Sequence, residues 1–178
     1  MSYTDAAAVP EAFMTAYRAL YLEAGLQPGQ WALIRAATSG VGSAAVQLVS
    51  ALGGRSLGTS RSADRLAKLE PLGLAATHRE GSDDLSVSVA DATHGQGVAV
   101  VLDLLGGGHL DENLGALADE GTLVVVGLLG GLKDELNLGK LLMRRLTIRA
   151  MTMRSQPAEV RMRLAWIAED RLLPLLED

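Results

Sequence analysis

A chain of 178 residues, 48% hydrophobic and 21% charged, has the size and apolar content of one globular domain around one core, which excludes a large two-domain enzyme within these residues. A formal net charge of −5 and 3% aromatic residues leave neither a basic stripe nor a stacking platform, so no nucleic-acid partner is expected. Cysteine is absent, which excludes disulfides and thiolate metal ligands and agrees with a reducing cytosol.

In chain order, residues 10–24 read as a helix ended by Gly25, with Pro28 and Gly29 turning the chain into a strand over 31–37, WALIRAA. The stretch AATSGVGSAAVQLVSALGG, 36–54, leaves that strand through small residues. It continues as a helix in which Ala45, Leu48, Val49 and Leu52 recur at i, i+3, i+4 and i+7. A second strand covers 54–60 and a weaker one 75–77. A helix follows through SDDLSVSVADATHG, with Ser82 as its expected N-cap and Gly95 as its stop. Strands are expected at 97–106, 121–130 and 145–151, with a helix carrying Leu110, Leu114 and Leu117 after the first of them. Pro157 opens a last helix to about residue 170. The longest apolar runs, 97–108 and 121–132, are broken by glycine and shorter than a bilayer span. The N-terminus shows no basic region before an apolar segment, so the expectation is a cytoplasmic protein with no membrane partner.

The strands are continuously apolar rather than alternating, as in a parallel sheet covered on both faces. Their alternation with helices predicts an α/β domain: a Rossmann-type, doubly wound parallel sheet of about six strands. Ligands of such sheets bind at the carboxyl ends of the strands.

ATSGVGSA stands at that place after the first strand. It supplies backbone N–H groups, a helix N-terminus and little side-chain bulk, the requirements of a phosphate site, although a tight strand-to-helix corner has the same composition. The dinucleotide glycine pattern fits in two registers, Gly40-x-Gly42-x-x-Ala45 or Ala37-x-Ser39-x-x-Gly42, and pattern alone does not choose. Where a carboxylate would accept ribose hydroxyls at the end of the second strand, the chain carries Thr59, Ser60, Arg61, Ser62 and Arg65. Hydroxyls and guanidinium groups suit a 2′-phosphate and favour NADP(H) over NAD(H), against the simpler reading of a solvated first helical turn containing Asp64. Asp103 reads equally as a cleft-shaping group or a structural carboxylate. His94 and His109 read as surface loop histidines with no metal-ligand spacing, and the arginines 144, 145, 149, 154, 161 and 163 as a solvated face.

The runs VPEAFMTAY, GLQPGQWALIRAATSGVGSAAVQLVSALG, GVAVVLDLLGG, LADEGTLVVVGLLGG and LNLGKLLMRRLTIRAMTMRS together resemble the cofactor domain of the zinc-independent, zeta-crystallin-type quinone oxidoreductases of the medium-chain dehydrogenase/reductase superfamily. The resemblance selects the second register. It implies that Thr15 packs beside a nicotinamide, that Ser39, Gly40, Val41 and Gly42 form the pyrophosphate loop, and that Ser62 and Arg65 hold the 2′-phosphate. Leu104 and Leu105 would border the adenosine half, and Gly127 and Leu128 would approach the nicotinamide. Where relatives carry a tyrosine in an NYR-like motif, this chain reads THR, so His78 is open between a 2′-phosphate contact and a surface histidine.

The resemblance also implies hydride transfer from NADPH to a small-molecule quinone or enone, no zinc, and a homodimer joined through the edge strand 145–151. Relatives carry a GroES-like catalytic domain that this chain lacks, so the chain alone is expected to be inactive. Two alternatives remain: the cofactor domain of an enoyl-thioester reductase, and a non-enzymatic nucleotide-binding or oligomerisation module.

Overall fold

The structure is a computed structural model that describes residues 7 and 9–177. Its centre is one six-stranded sheet in the order β3-β2-β1-β4-β5-β6, with every neighbouring pair parallel. The strands are β1 (Trp31–Ile34), β2 (Arg55–Ser60), β3 (Ala76–Arg79), β4 (Val98–Asp103), β5 (Leu117–Val125) and β6 (Thr147–Ala150). Between them lie α2 (Gly40–Ala51), α3 (Ala63–Ala67), α4 (Leu85–Thr93), α5 (Leu110–Ala116) and α6 (Leu138–Met143). Helical segments 9–23 (α1) and 158–177 (α7) flank the sheet in sequence. No helix among the described residues is long and apolar enough to cross a membrane.

The sheet divides the core in two because successive strand side chains point to opposite faces. Ala32 and Ile34 of β1 join Val100 and Leu102 of β4 and pack with α1, α2 and α7, through residues such as Leu20, Val46 and Leu172. Leu33, Leu57, Val101 and Leu123 face the other way, onto Leu85 and Val89 of α4 and Leu114 of α5. Burial on both faces explains the unbroken apolar strands.

Several boundaries differ from expectation. β1 ends at Ile34 rather than at 37 because Ala36 adopts a φ of 51°, a left-handed turn that throws the chain out of the sheet. β5 begins at Leu117, four residues early, so Leu117 leaves the helical stripe it shared with Leu110 and Leu114. A register shift between Val98 and Val100 absorbs the extra length. α4 starts at Leu85 with Asp84, not Ser82, as its cap: the Asp84 carboxylate accepts the Ser86 amide at 2.9 Å. The Ser82 hydroxyl instead donates to the Arg79 carbonyl at 2.6 Å. The last helix runs on to residue 177.

Candidate nucleotide-binding site

The strand order reverses between β1 and β4, and at the carboxyl ends of β1 to β5 opens a cleft of about 520 Å³ lined by Ala36, Thr38, Ser39, Ser60, Arg61, Ser62, Arg65, Glu80, Leu105, His109, Leu129 and Gly130. Its floor is the turn from β1 into α2. Ser39 caps α2, its hydroxyl accepting the Gly42 amide at 3.1 Å. The Gly40 and Val41 amides have no protein acceptor among the described residues and are the donors an anion would meet.

The two glycines of this loop do different work. A Cβ at Gly42 would lie 2.5 Å from the Ala36 carbonyl oxygen and 2.7 Å from that of Ala37, so Gly42 is where α2 closes onto the strand. A Cβ at Gly40 would meet nothing within 4 Å, leaving that face open. Helix-to-strand packing belongs to the third position of the glycine pattern, so the geometry favours the register Ala37-x-Ser39-x-x-Gly42.

The wall beside the loop comes from the end of β2. The Thr38 and Ser60 hydroxyls are 3.1 Å apart, and Ser62 caps α3 by accepting the Arg65 amide at 3.3 Å. Arg61 and Arg65 are exposed on the cleft, and neither has a carboxylate within ion-pair distance among the described residues. Two unneutralised guanidinium groups beside hydroxyls and a helix N-terminus form an anion-binding arrangement.

Opposite lies the turn after β4. Asp103 is buried, and its carboxylate accepts the Leu105 amide at 2.8 Å and the Gly106 amide at 3.1 Å, fixing the turn that presents Leu105 to the cleft. Burial pushes its carboxyl above the usual value, against the opposing pull of those two amides and of Arg35 and His109. Both readings of Asp103 therefore hold: it is a structural carboxylate, and it shapes the cleft from behind.

Other expected site residues stand elsewhere. Leu104 is buried behind the turn. Gly127 packs on it, since a Cβ there would lie 2.6 Å from the Leu104 carbonyl oxygen, and Leu128 is exposed outside the cleft. Leu129 and Gly130 line it in their place. Thr15 is buried in the Met14–Tyr17 turn of α1, which packs on α2, and does not line the cleft. His78 is neither a surface histidine nor a lining residue. It sits on the buried face of β3, where its Nδ1 is 2.9 Å from the Ser88 hydroxyl of α4, whereas Glu80 lies beyond the strand's end at Arg79 and lines the cleft.

A second cluster, assembled from residues distant in sequence, also reaches the cleft. Arg35, fully buried at the end of β1, places Nη2 2.8 Å from Glu112 Oε2, 3.2 Å from Glu80 Oε1 and 2.9 Å from His109 Nδ1. His109 is thus half-buried and paired rather than a free loop residue, whereas His94 is an exposed C-cap with a φ of 53°. The local signal the sequence holds for this cluster is the i, i+3 spacing of His109 and Glu112.

The chain matches the zinc-binding dehydrogenase family over residues 40–169, nearly three-quarters of its length. It belongs to that family. Membership places it in the medium-chain dehydrogenase/reductase superfamily of oxidoreductases and implies NAD(P)(H) as cofactor. Among relatives, erythronolide synthase EryA2 of Saccharopolyspora erythraea is 43% identical over 122 residues, which are 67% of this chain and 3% of the synthase. Quinone oxidoreductase-like protein 2 homolog of Nematostella vectensis is 33% identical over 122 residues, 68% of this chain and 33% of that protein. Among solved structures, the quinone oxidoreductase of Pseudomonas syringae superposes with a TM-score of 0.86 at 29% identity, covering 98% of this chain and 55% of that one. A polyketide synthase enoyl reductase domain superposes with a TM-score of 0.79 at 31% identity, covering 94% and 95%. This family member thus spans about half of the quinone oxidoreductase and a few per cent of the synthase.

The family's two non-protein groups fare differently against these residues. A dinucleotide fits: amides at the α2 N-terminus and guanidinium groups with no partner among the described residues converge with the open face at Gly40 on one cleft. Zinc does not. Glu80, His109 and Glu112 bring ligand atoms within 4.8 Å of one another, but the Arg35 guanidinium already occupies the cation's place among them, and the chain has no cysteine.

Proposed function

We propose that this chain is the NADP(H)-binding half of a reductase that delivers hydride to the conjugated double bond of an enoyl thioester, its catalytic residues lying in a GroES-like domain outside these residues. The observation that carries the cofactor half is the convergence of the capped α2 N-terminus with Arg61, Ser62 and Arg65 on one cleft. The α2 amides would take the pyrophosphate and the two arginines the 2′-phosphate, for which their charge is suited and an Asp or Glu would be repulsive. Leu105, held by Asp103, would wall the adenosine half. The bound nicotinamide supplies the hydride; this chain's residues hold and orient the nucleotide and exclude water around it.

The acceptor class rests on likeness. Identities of 43%, 39% and 42% to erythronolide synthase EryA2, a highly reducing polyketide synthase and mycoketide-CoA synthase support the enoyl thioester. A quinone acceptor is the second reading, supported by the 0.86 TM-score to the Pseudomonas quinone oxidoreductase and by the TIRAMTMRS segment. We further propose that two copies pair through β6, an edge strand with all four residues exposed, beside the exposed apolar side chains of Leu138, Leu142 and Met143.

The test is NADPH oxidation, followed at the reduced-nicotinamide absorbance, with a crotonyl thioester and with a benzoquinone, by this chain alone and joined to a catalytic domain. Thioester-dependent oxidation by the joined form alone is expected. Turnover of quinone only would give the second reading, and fast turnover by this chain alone would contradict the division of labour.

A further inference from the structure

The cleft lining carries both signs of charge: Arg61 and Arg65, and also Glu80 and His109, which are tied to Arg35 and Glu112. A carboxylate is unsuited to phosphate, so Glu80 suits a part of the ligand that has no charge. Glu80 is held there by its main chain, whose amide donates to the Ser60 carbonyl at 2.9 Å, and by its side chain, with both oxygens 3.2 to 3.3 Å from Arg35 Nη2. Arginine can only donate, so the 2.9 Å contact between Arg35 Nη2 and His109 Nδ1 makes Nδ1 the acceptor and leaves the ring N–H on Nε2. Arg35 therefore fixes one acceptor and one donor side by side, with Leu105 and Leu129 as apolar walls in the same cleft.

We propose that Glu80 and His109 read the base of the bound nucleotide as adenine. Glu80 accepts from the exocyclic amino group and the His109 Nε2–H donates to an adjacent ring nitrogen, while Leu105 and Leu129 flank the ring. This rests on the NADP(H) reading of the cleft. The pairing is directional. Hypoxanthine carries a carbonyl oxygen where adenine has its amino group and an N–H where adenine has a bare ring nitrogen, so it would set acceptor against acceptor and donor against donor. Glu80 and His109 are specificity-determining residues here, and Arg35 is a positioning residue acting through both.

The experiment compares equilibrium binding of NADPH and of its hypoxanthine analogue by nicotinamide fluorescence, on the unmodified chain and on Glu80→Gln. On the unmodified chain NADPH should bind at least about tenfold more tightly than the analogue, the scale of discrimination of a paired donor and acceptor. In E80Q, whose amide can donate to the hypoxanthine oxygen, that ratio should narrow. Equal affinity of the unmodified chain for the two nucleotides overturns base reading while leaving the NADP(H) reading intact. Binding of neither overturns both. Should E80Q fail to fold, the ratio on the unmodified chain still decides.

Discussion

The Ser39 hydroxyl accepts the Gly42 amide at 3.1 Å, and Gly42 in turn sits so close to the β1 exit that a Cβ would lie 2.5 Å from the Ala36 carbonyl oxygen. Cap and contact together set the angle at which α2 points its N-terminus into the cleft. Gly42→Ala must therefore push α2 off backbone that cannot yield, and should lower stability by about 3 kcal/mol, the upper part of the range for overpacking. Ser39→Ala should cost about 1 kcal/mol for the lost cap. Urea unfolding of both variants checks the order; an innocuous G42A would show that the loop is not packed as described.

Arg61 and Arg65 line the cleft with no carboxylate partner among the described residues, so their charge is available to a ligand. Replacing either with alanine should weaken NADPH binding by roughly tenfold, the worth of a charge-assisted hydrogen bond, and leave NADH binding almost unchanged. Parallel titrations of the two nucleotides read the difference. Equal losses for both would place the arginines away from the 2′-phosphate.

Arg35 is wholly buried among Glu80, Glu112 and His109, with Nε and Nη1 lacking partners among the described residues. Arg35→Met leaves carboxylates uncompensated and should cost about 3 to 5 kcal/mol. Adding Glu80→Gln and Glu112→Gln should restore much of that loss, because the penalty lies in the stranded charge. Chemical denaturation of the single and triple variants tests the coupling, and strict additivity would refute it.

Asp103 gives a pH signature. Burial raises its carboxyl above the ordinary value of 3.8, so between 3.8 and the raised value the folded chain binds more protons than the unfolded one. Through that window stability from this group falls as pH rises, and above it the loss is constant. Asp103→Asn keeps an oxygen for the Leu105 and Gly106 amides and removes the titration. The stability of D103N relative to the unmodified chain should thus improve with rising pH and then level off. A pH-independent difference in denaturation series would contradict this.

The exposed edge of β6 yields a hydrodynamic expectation. Light scattering should give the mass of two chains, and Ile148→Pro, which removes a strand N–H at the edge, should shift it towards one. A monomer in the unmodified protein would reject pairing through this strand.

Much of the fold was legible because local and tertiary signals agree. The apolar runs around Leu33, Leu57, Val101 and Leu123 are buried on both faces of a parallel sheet, and composition states that directly. Leu117 has the spacing of a helix face, but a leucine also suits the start of a strand, and it pairs in register with Val98 as the first residue of β5. At the site, the Ser39–Gly42 loop and the Ser60–Arg65 stretch are local in sequence and were readable. Glu80, Arg35 and Glu112 were not, because their meeting depends on three separate elements converging at the end of the sheet. His78 and Glu80 show the limit most simply: two residues apart, both near the right place, with the intervening end of β3 sending one into the core and the other into the cleft.

The most direct measurement is a fluorescence titration of this chain with NADPH and with NADH. Saturable binding of NADPH, at least about tenfold tighter than that of NADH, is expected from the two cleft arginines. Absence of saturable binding by either nucleotide would contradict the central claim that this cleft is a dinucleotide site.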